Sequence, residues 1–195
     1  YFLSLLLDQT ARNMMTAFFV QMNAIGKGAS RPAGIGRRKV TTLGILGAGQ
    51  MGAGLAFAAA RKGIAVFLKD MDLAAAERGK DYARHACAKN KRMTDAEREA
   101  LLALIRPSAD YADLATCDAV IEAVFERRDV KAAVVRELEA VLGHHALIAS
   151  NTSALPITEL AEASVRPANF IGMHFFSPAD KMPLVEIICG EQTGD

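Results

Sequence analysis

The chain has 195 residues, of which 51% are hydrophobic, enough for one or two domains with a packed core. Its 23 basic and 22 acidic residues leave a net charge of +1, which excludes the strongly basic character expected of a nucleic-acid-binding protein. The three cysteines, Cys87, Cys117 and Cys189, are scattered without metal-site spacing and indicate reduced thiols in a cytoplasmic compartment. Cys189 follows two isoleucines and is predicted to be a small core residue.

The first 38 residues are predicted to be an amphipathic helix and a linker belonging to an upstream domain. Apolar side chains recur at helical spacing over residues 5–25, which favours packing against another domain over a cofactor site. Residues 26–38 are rich in glycine, proline, serine and basic residues, as is typical of a linker. The apolar run 1–7 is far shorter than the ~18 residues of a membrane span. Because the chain begins with Tyr1, we interpret it as a piece of a longer polypeptide.

The next stretch, residues 39–70, has the pattern of a strand, a glycine turn, a helix and a second strand. The turn is a G-x-G-x-x-G motif with the sequence Gly47-Ala48-Gly49-Gln50-Met51-Gly52. Its first glycine permits a tight turn, the second allows a pyrophosphate to approach the backbone, and the third allows the helix to pack on the strand. The helix that follows directs its free N–H groups and positive dipole end toward the phosphates.

An acid follows the second strand at the distance expected of a ribose ligand. Asp70 lies 18 residues after Gly52, near the spacing of about 20 found in dinucleotide-binding motifs. A carboxylate there accepts hydrogen bonds from ribose hydroxyls and repels a 2′-phosphate, so the motif favours NAD over NADP, although Lys69 and Arg61 lie nearby. The alternative is a phosphate loop for another nucleotide, such as S-adenosylmethionine or FAD.

Beyond Asp70, helical and strand patterns alternate, which predicts a Rossmann-type α/β fold: a doubly wound, mainly parallel sheet. Thr94 and Glu97 form a capping box at the start of one helix, and Pro107 is predicted to follow its end. The predicted helices cover residues 73–90, 94–104, 128–142 and 158–163, and the predicted strands cover 118–124, 146–150, 170–174 and 184–188.

Polar residues follow three of these strands, at the edge of the sheet where the glycine turn lies: Glu126, Asn151–Ser153 and His174. His174 is a candidate base for an alcohol proton, since a histidine pKa of about 6.5 suits proton transfer near neutrality. Glu186 interrupts an apolar run, where a charge is costly unless paired, and could orient the imidazole. Ser153 could bind the substrate oxygen.

Four motifs in this order resemble the NAD-binding domain of 3-hydroxyacyl-CoA dehydrogenases over roughly residues 39–190. They are the glycine turn with Asp70, the sequence IASNTS at 148–153, GMHFFSP at 172–178 and LVEII at 184–188. The leading helix and linker resemble the joint between the hydratase/isomerase and dehydrogenase halves of multifunctional fatty-acid oxidation proteins of the α-subunit type. The resemblance therefore implies an NAD-binding Rossmann domain at residues 39–195 after the upstream segment 1–38.

The resemblance implies oxidation of an L-3-hydroxyacyl-CoA to the 3-ketoacyl-CoA with NAD, in fatty-acid β-oxidation. His174 would be the catalytic base, Glu186 its partner, and Ser153 a contact to substrate and cofactor. No metal is expected. The residues implied to bind the cofactor are Gly47, Gly49, Gln50, Met51, Gly52, Asp70, Val124, Phe125, Glu126, Lys131, Ser153 and Ser177.

The chain departs from the family pattern in two ways. Ser177 stands where the motif HFFNP has asparagine, which predicts looser positioning of the nicotinamide. The helical C-terminal domain that completes the acyl-CoA site and the dimer contacts is expected downstream, so this piece is expected to bind NAD with little turnover. Expected partners are the acyl-CoA substrate, the upstream and downstream domains, and a second copy in a homo-oligomer. The alternatives are a dehydrogenase of a 3-hydroxy acid without CoA, or a non-catalytic dinucleotide-binding docking module.

Overall fold

The computed structural model describes residues 8–29, 31–32, 34–36 and 38–194. The chain forms two compact units, Tyr1–Lys39 and Val40–Asp195, which are described separately. The predicted helix start at Leu5 and the apolar run 1–7 lie outside the described residues, as do linker residues 30, 33 and 37.

The first unit contains a helical segment in the predicted place. Helix α1 (Gln9–Met15) continues through a π-helical stretch (Thr16–Gln21) into α2 (Met22–Gly26). The Asp8 side chain caps α1 by accepting a 2.7 Å hydrogen bond from the N–H of Thr10. The large apolar side chains of this segment are exposed, Phe18 and Phe19 by 66% and 67%. No helix in the described part of the chain is both long and apolar enough to cross a membrane.

The second unit is built on a seven-stranded sheet. Its strands in chain order are β1 (Thr42–Leu46), β2 (Ala65–Lys69), β3 (Ile105–Ser108), β4 (Ala119–Glu122), β5 (Leu147–Ser150), β6 (Phe170–Phe175) and β7 (Val185–Ile188). The spatial order is β3-β2-β1-β4-β5-β6-β7; the first six strands are parallel and β7 is antiparallel to β6. The prediction of a Rossmann-type, mainly parallel sheet is confirmed.

Helices cover both faces of this sheet. They are α3 (Gln50–Ala60), α4 (Leu73–Lys89), α5 (Asp95–Ala103), α6 (Arg128–Glu139) and α7 (Ile157–Ala161). Successive side chains of a strand point to opposite faces, so β1 contributes to two apolar cores. Leu43 and Ile45 pack in the core with residues of α3 to α5, whereas Leu46 packs in the core with residues of α6 and α7.

Two sequence predictions about this unit were wrong. Pro107 does not simply follow a helix but lies inside β3, which was not predicted; a proline is tolerated there because β3 is an edge strand. Cys189 is exposed, unlike the buried Cys87 and Cys117, because it follows β7, whose residues are all exposed. The predicted capping box of Thr94 and Glu97 is present at the start of α5.

Candidate functional site

The glycine turn directly follows β1, beside the end of β4. The strand order reverses between these two neighbouring strands, because β2 and β3 lie on one side of β1 and β4 to β7 lie on the other. Gly47 has a φ of 93° and donates a 2.8 Å hydrogen bond to the carbonyl of Lys69. A Cβ at Gly47 would lie 2.5 Å from the carbonyl oxygen of Ala123, so only glycine fits this turn. Such a switch point is where open α/β sheets bind ligands.

The other two glycines of the motif face different surroundings. A Cβ at Gly52 would lie 1.8 Å from the carbonyl oxygen of Gly47, so this position allows the turn and α3 to approach closely. At Gly49 no described atom lies within 4 Å of the same point, and no side chain caps the helix that begins there. The start of α3 therefore offers open space and backbone donors, the arrangement that binds a pyrophosphate.

Asp70 is held by backbone amides at the end of β2. Its Oδ2 accepts a 2.6 Å bond from the N–H of Ala48, and its Oδ1 accepts a 2.7 Å bond from the N–H of Met71. Each carboxylate oxygen keeps a lone pair for a further donor, such as a ribose hydroxyl. Lys69 donates to the carbonyl of Asp70 and lies 4.0 Å from the Tyr111 ring centroid, so its charge is already engaged.

Two cavities adjoin the turn. One, of about 550 Å³, lies on the side of β4 and α6 and is lined largely by apolar residues, including Tyr111, Val124, Phe125, Val130 and Val134. The other, of about 540 Å³, lies over α4. Both cavities are lined by Gly49, Gln50 and Asp70, and Met51 lines the first. The apolar walls, the open turn and the acid fit a dinucleotide lying across the turn.

His174 and Glu186 meet across the only antiparallel strand pair in the described sheet. They are register partners on β6 and β7, and the His174 Nδ1 lies 2.7 Å from the Glu186 Oε2. Because an ionised carboxylate only accepts, Nδ1 carries the proton of the neutral ring, which leaves a lone pair on Nε2. The His174 side chain is 19% exposed, so the imidazole is sheltered but reachable. An imidazole held in this way can accept a proton at Nε2.

The loop after β5 lies beside the end of β6. Asn151 fastens it there, because its Oδ1 accepts a 2.9 Å bond from the N–H of Phe175. Ser153 is exposed in this loop, and its N–H donates to the Glu126 Oε1 at 3.0 Å. On the other side, the Gln50 Nε2 donates to the Ser177 Oγ at 3.4 Å, which links the start of α3 to the loop after β6.

Lys131 lies beneath the site rather than on its surface. Its side chain is 1% exposed, and its Nζ lies 2.8 Å and 3.0 Å from the two carboxylate oxygens of Glu122. A third contact of 3.1 Å joins it to the Glu126 Oε2. Sequence reasoning missed Glu122 and its other partner Ser150, whose hydroxyl donates to it at 2.6 Å. The sequence feature that could have pointed to Glu122 is the one that pointed to Glu186, a carboxylate inside an apolar run.

Glu126 connects this buried pair to the loop after β5. Its Oε1 accepts hydrogen bonds from the Thr152 hydroxyl, at 2.5 Å, and from the N–H of Ser153. Burial alone would raise the pKa of Glu126, but the hydrogen bonds from Thr152, Lys131 and Ser153 outweigh it and lower that pKa. Glu126 is therefore held as a carboxylate at neutral pH.

The predicted site residues thus gather at one edge of the sheet. The glycine turn, Asp70, Val124 and Phe125 adjoin the cavities. His174 and Glu186 lie on β6 and β7, while Glu126, Ser153 and Ser177 lie in the loops that follow β4, β5 and β6. Lys131 is the exception, since it is buried below them. Among the described residues no group of three or more His, Cys, Asp or Glu side chains could hold a metal ion.

Comparison with known proteins finds relatives that are subunits of a fatty acid oxidation complex. The chain is 43% identical over 160 residues to the fatty acid oxidation complex subunit alpha of Psychrobacter arcticus and 44% identical over 154 residues to that of Psychrobacter sp.. These matches cover 80% and 77% of this chain but 22% and 21% of the relatives, so the chain spans about a fifth of their length.

Solved structures of dehydrogenases share the fold. The (S)-3-hydroxybutyryl-CoA dehydrogenase of Ralstonia eutropha is 41% identical with a TM-score of 0.76, over 80% of this chain and 56% of that one. The 3-hydroxybutyryl-CoA dehydrogenase of Escherichia coli K12 is 36% identical with a TM-score of 0.76, over 80% and 34%. The model of one family matches residues 42–195, and the chain therefore belongs to the 3-hydroxyacyl-CoA dehydrogenase, NAD-binding domain family.

Proposed function

We propose that the protein containing this chain oxidises an L-3-hydroxyacyl-CoA to the 3-ketoacyl-CoA in fatty-acid β-oxidation, with His174 and Glu186 as its catalytic dyad. The observation that carries the proposal is the 2.7 Å contact between these side chains at the edge where the glycine turn lies. A docking module has no need of a base oriented by a carboxylate beside a dinucleotide site. The relatives named above are dehydrogenases of 3-hydroxyacyl-CoA type or subunits of a fatty acid oxidation complex.

In this mechanism the chain supplies the proton acceptor and its orientation. The His174 Nε2 takes the proton of the substrate hydroxyl, and Glu186 stabilises the imidazolium that forms, since Nδ1 already donates to its Oε2. Ser153 orients the substrate oxygen. NAD, when bound, supplies the hydride acceptor. The N–H groups at the start of α3 would hold its pyrophosphate, and Asp70 its adenine ribose.

The wider setting is also proposed. The chain would belong to a multifunctional cytoplasmic protein with a hydratase/isomerase-like domain upstream and a helical domain downstream, because it spans about a fifth of the Psychrobacter arcticus subunit. The exposed apolar stripe of α1 and α2 would pack against another domain of that protein, which would act as a homo-oligomer. This chain alone, which spans 56% of the Ralstonia eutropha dehydrogenase, is expected to bind NAD with little turnover.

The test separates chemistry from cofactor binding. In the full-length protein, we expect His174→Ala to lower kcat by about 10³-fold or more while leaving the Kd for NAD nearly unchanged. Asp70→Ala should weaken NAD binding roughly tenfold, because it removes the ribose acceptor. Equal weakening of NAD binding by both variants would contradict this division of roles, and normal turnover by His174→Ala would refute the dyad.

Two alternatives are decided by the same preparation. Comparable turnover of 3-hydroxybutyrate and 3-hydroxybutyryl-CoA would favour a dehydrogenase of free 3-hydroxy acids. NAD binding by the full-length protein without oxidation of either substrate would favour the docking module.

A further inference from the structure

A chain of hydrogen bonds runs from the core of the sheet to the loop that carries Ser153. It begins at Glu122, whose carboxylate is completely buried at the end of β4. Lys131 on α6 joins Glu122 to Glu126, and Glu126 in turn holds the Thr152 hydroxyl and the N–H of Ser153. The same Glu122 accepts a 2.8 Å bond from the N–H of Val124, which lines a cavity beside the glycine turn.

The Lys131 ammonium group, in the middle of this hydrogen-bond network, has no free N–H donor. A lysine has three N–H donors, and the Lys131 Nζ has three carboxylate oxygens within 3.1 Å, two on Glu122 and one on Glu126. It is also 1% exposed. Lys131 therefore cannot contact a dinucleotide without giving up a buried ionic bond, which is costly.

A buried ion pair is weakly stabilising at best, because desolvating two charges offsets their attraction. The Lys131 ion pairs matter more for geometry than for stability, because each carboxylate that they join fixes a different backbone segment. The Glu122 end fixes the backbone after β4, and the Glu126 end fixes the backbone after β5. These two segments flank the dinucleotide site on neighbouring strands.

We propose that Lys131 is a positioning residue, which ties Glu122 to Glu126 and thereby sets where Ser153 stands at the NAD site. The proposal rests on the proposed function, since it assumes that NAD binds at this edge. It assigns Lys131 an indirect role in place of the direct cofactor contact that the family resemblance implies. If so, NAD affinity depends on the hydroxyl of Thr152, which is 2% exposed. This hydroxyl bonds to the Glu126 Oε1, whereas Lys131 contacts the Glu126 Oε2.

The test changes Glu126 and Thr152 rather than Lys131, because removing Lys131 would leave the buried Glu122 carboxylate without a positive charge beside it. Glu126→Gln keeps an oxygen for Thr152 and Ser153 but places an amide donor against the ammonium. Thr152→Val removes the buried hydroxyl and keeps the branched shape, and Thr152→Ser restores the hydroxyl. NADH binding is followed by the fluorescence of the bound nicotinamide.

We expect Glu126→Gln and Thr152→Val to weaken NADH binding roughly tenfold and to change the fluorescence yield of the bound nicotinamide, with Thr152→Ser within about twofold of the unmodified chain. The matched control is Glu139→Gln. Glu139 makes the same bonds elsewhere, accepting from the Ser164 hydroxyl at 2.6 Å and from the N–H of Val165 at 2.8 Å. Glu139→Gln should lower the Tm without weakening NADH binding.

Each other result overturns the proposal. An unchanged NADH affinity in Thr152→Val would show that the hydrogen-bond network does not position the site. Weak NADH binding by Glu126→Gln but not by Thr152→Val would show that Glu126 contacts NADH directly. Equal weakening by Glu139→Gln, or by Thr152→Ser, would show a general loss of stability or a need for the Thr152 methyl group. If the unmodified chain fails to bind NADH, the proposed function itself fails, which is a distinct result.

Discussion

At the scale of single residues, Glu126 makes the stability of this chain sensitive to acid. Its folded-state pKa lies below the ordinary value of 4.5, so the ionised form is favoured by folding. A lowered carboxylate pKa contributes stability that is fully present above the unfolded value and is lost as the pH falls through the folded value. We expect Glu126→Gln to lower the Tm near neutral pH and to converge with the unmodified chain below pH 4.5.

Thermal denaturation across this pH range checks the expectation. Glu99→Gln, which changes an exposed residue on α5, serves as the control and should leave the pH profile unchanged. A constant difference in Tm between Glu126→Gln and the unmodified chain at every pH would mean that ionisation of Glu126 does not contribute.

The three cysteines differ enough in environment to be told apart by thiol chemistry. Burial, with the nearby Asp118, raises the pKa of the Cys117 thiol to about 12, and burial also raises the pKa of the Cys87 thiol. Cys189 is exposed. We expect a thiol reagent at neutral pH to modify one cysteine in the native chain and all three after denaturation. Cys189→Ser should remove the native reaction, and rapid modification of a second thiol would contradict the described burial.

Residue patterns predicted the carboxylate partner of His174 because a charge inside an apolar strand must be paired. The same rule applies to Glu122, yet its partner could not be found in the sequence. Lys131 lies nine residues later on a helix, and its burial becomes visible only once α6 is packed against β4. Local spacing therefore identifies which groups need partners, while the packed fold decides which partners they receive.

At the scale of elements, α4 packs directly on the glycine turn through Gly79. A Cβ at this position would lie 2.6 Å from the Ala48 Cβ and 2.7 Å from the Ala48 carbonyl oxygen. Alanine is the better helix former by about 1 kcal/mol, but overpacking costs about 1–3 kcal/mol and here requires the backbone of the turn to move. We expect Gly79→Ala to lower the Tm and to weaken NAD binding, because the Ala48 N–H holds Asp70.

Gly143→Ala is the matched control, since the nearest described atom to its Cβ would be the Ala115 carbonyl oxygen at an ordinary 3.6 Å. Thermal denaturation and an NAD titration should separate the two variants. A Gly79→Ala chain as stable as the unmodified one would show that α4 can move away from the turn at no cost.

The sequence patterns missed one strand and left the direction of another open. Strand β3 includes Pro107, which lacks an N–H donor and so resembles a helix stop, but an edge strand has room for it. The apolar run that became β7 predicted a strand without its direction. Antiparallel pairing depends on the short return of the chain after β6, and this pairing is what places Glu186 against His174.

At the scale of the whole molecule, NAD should stabilise the fold because it binds the native state, in which the glycine turn after β1 is held between the ends of β2 and β4. A ligand at 100 times its Kd stabilises the native state by about 2.7 kcal/mol. For a chain of this length that corresponds to a rise in Tm of roughly 5–10 °C. NADP should give a smaller rise, because Asp70 in its proposed role as ribose ligand would repel the extra 2′-phosphate.

The comparison of the two cofactors tests Asp70 without requiring any turnover, and so it applies to this chain as it stands. Asp70→Asn keeps the size of the side chain and removes the charge; it should reduce the rise with NAD and bring the two cofactors closer together. A chain that NAD and NADP stabilise equally would contradict the assignment of Asp70 as the ribose ligand. If neither cofactor raises the Tm, the open space at Gly49 is not a dinucleotide site.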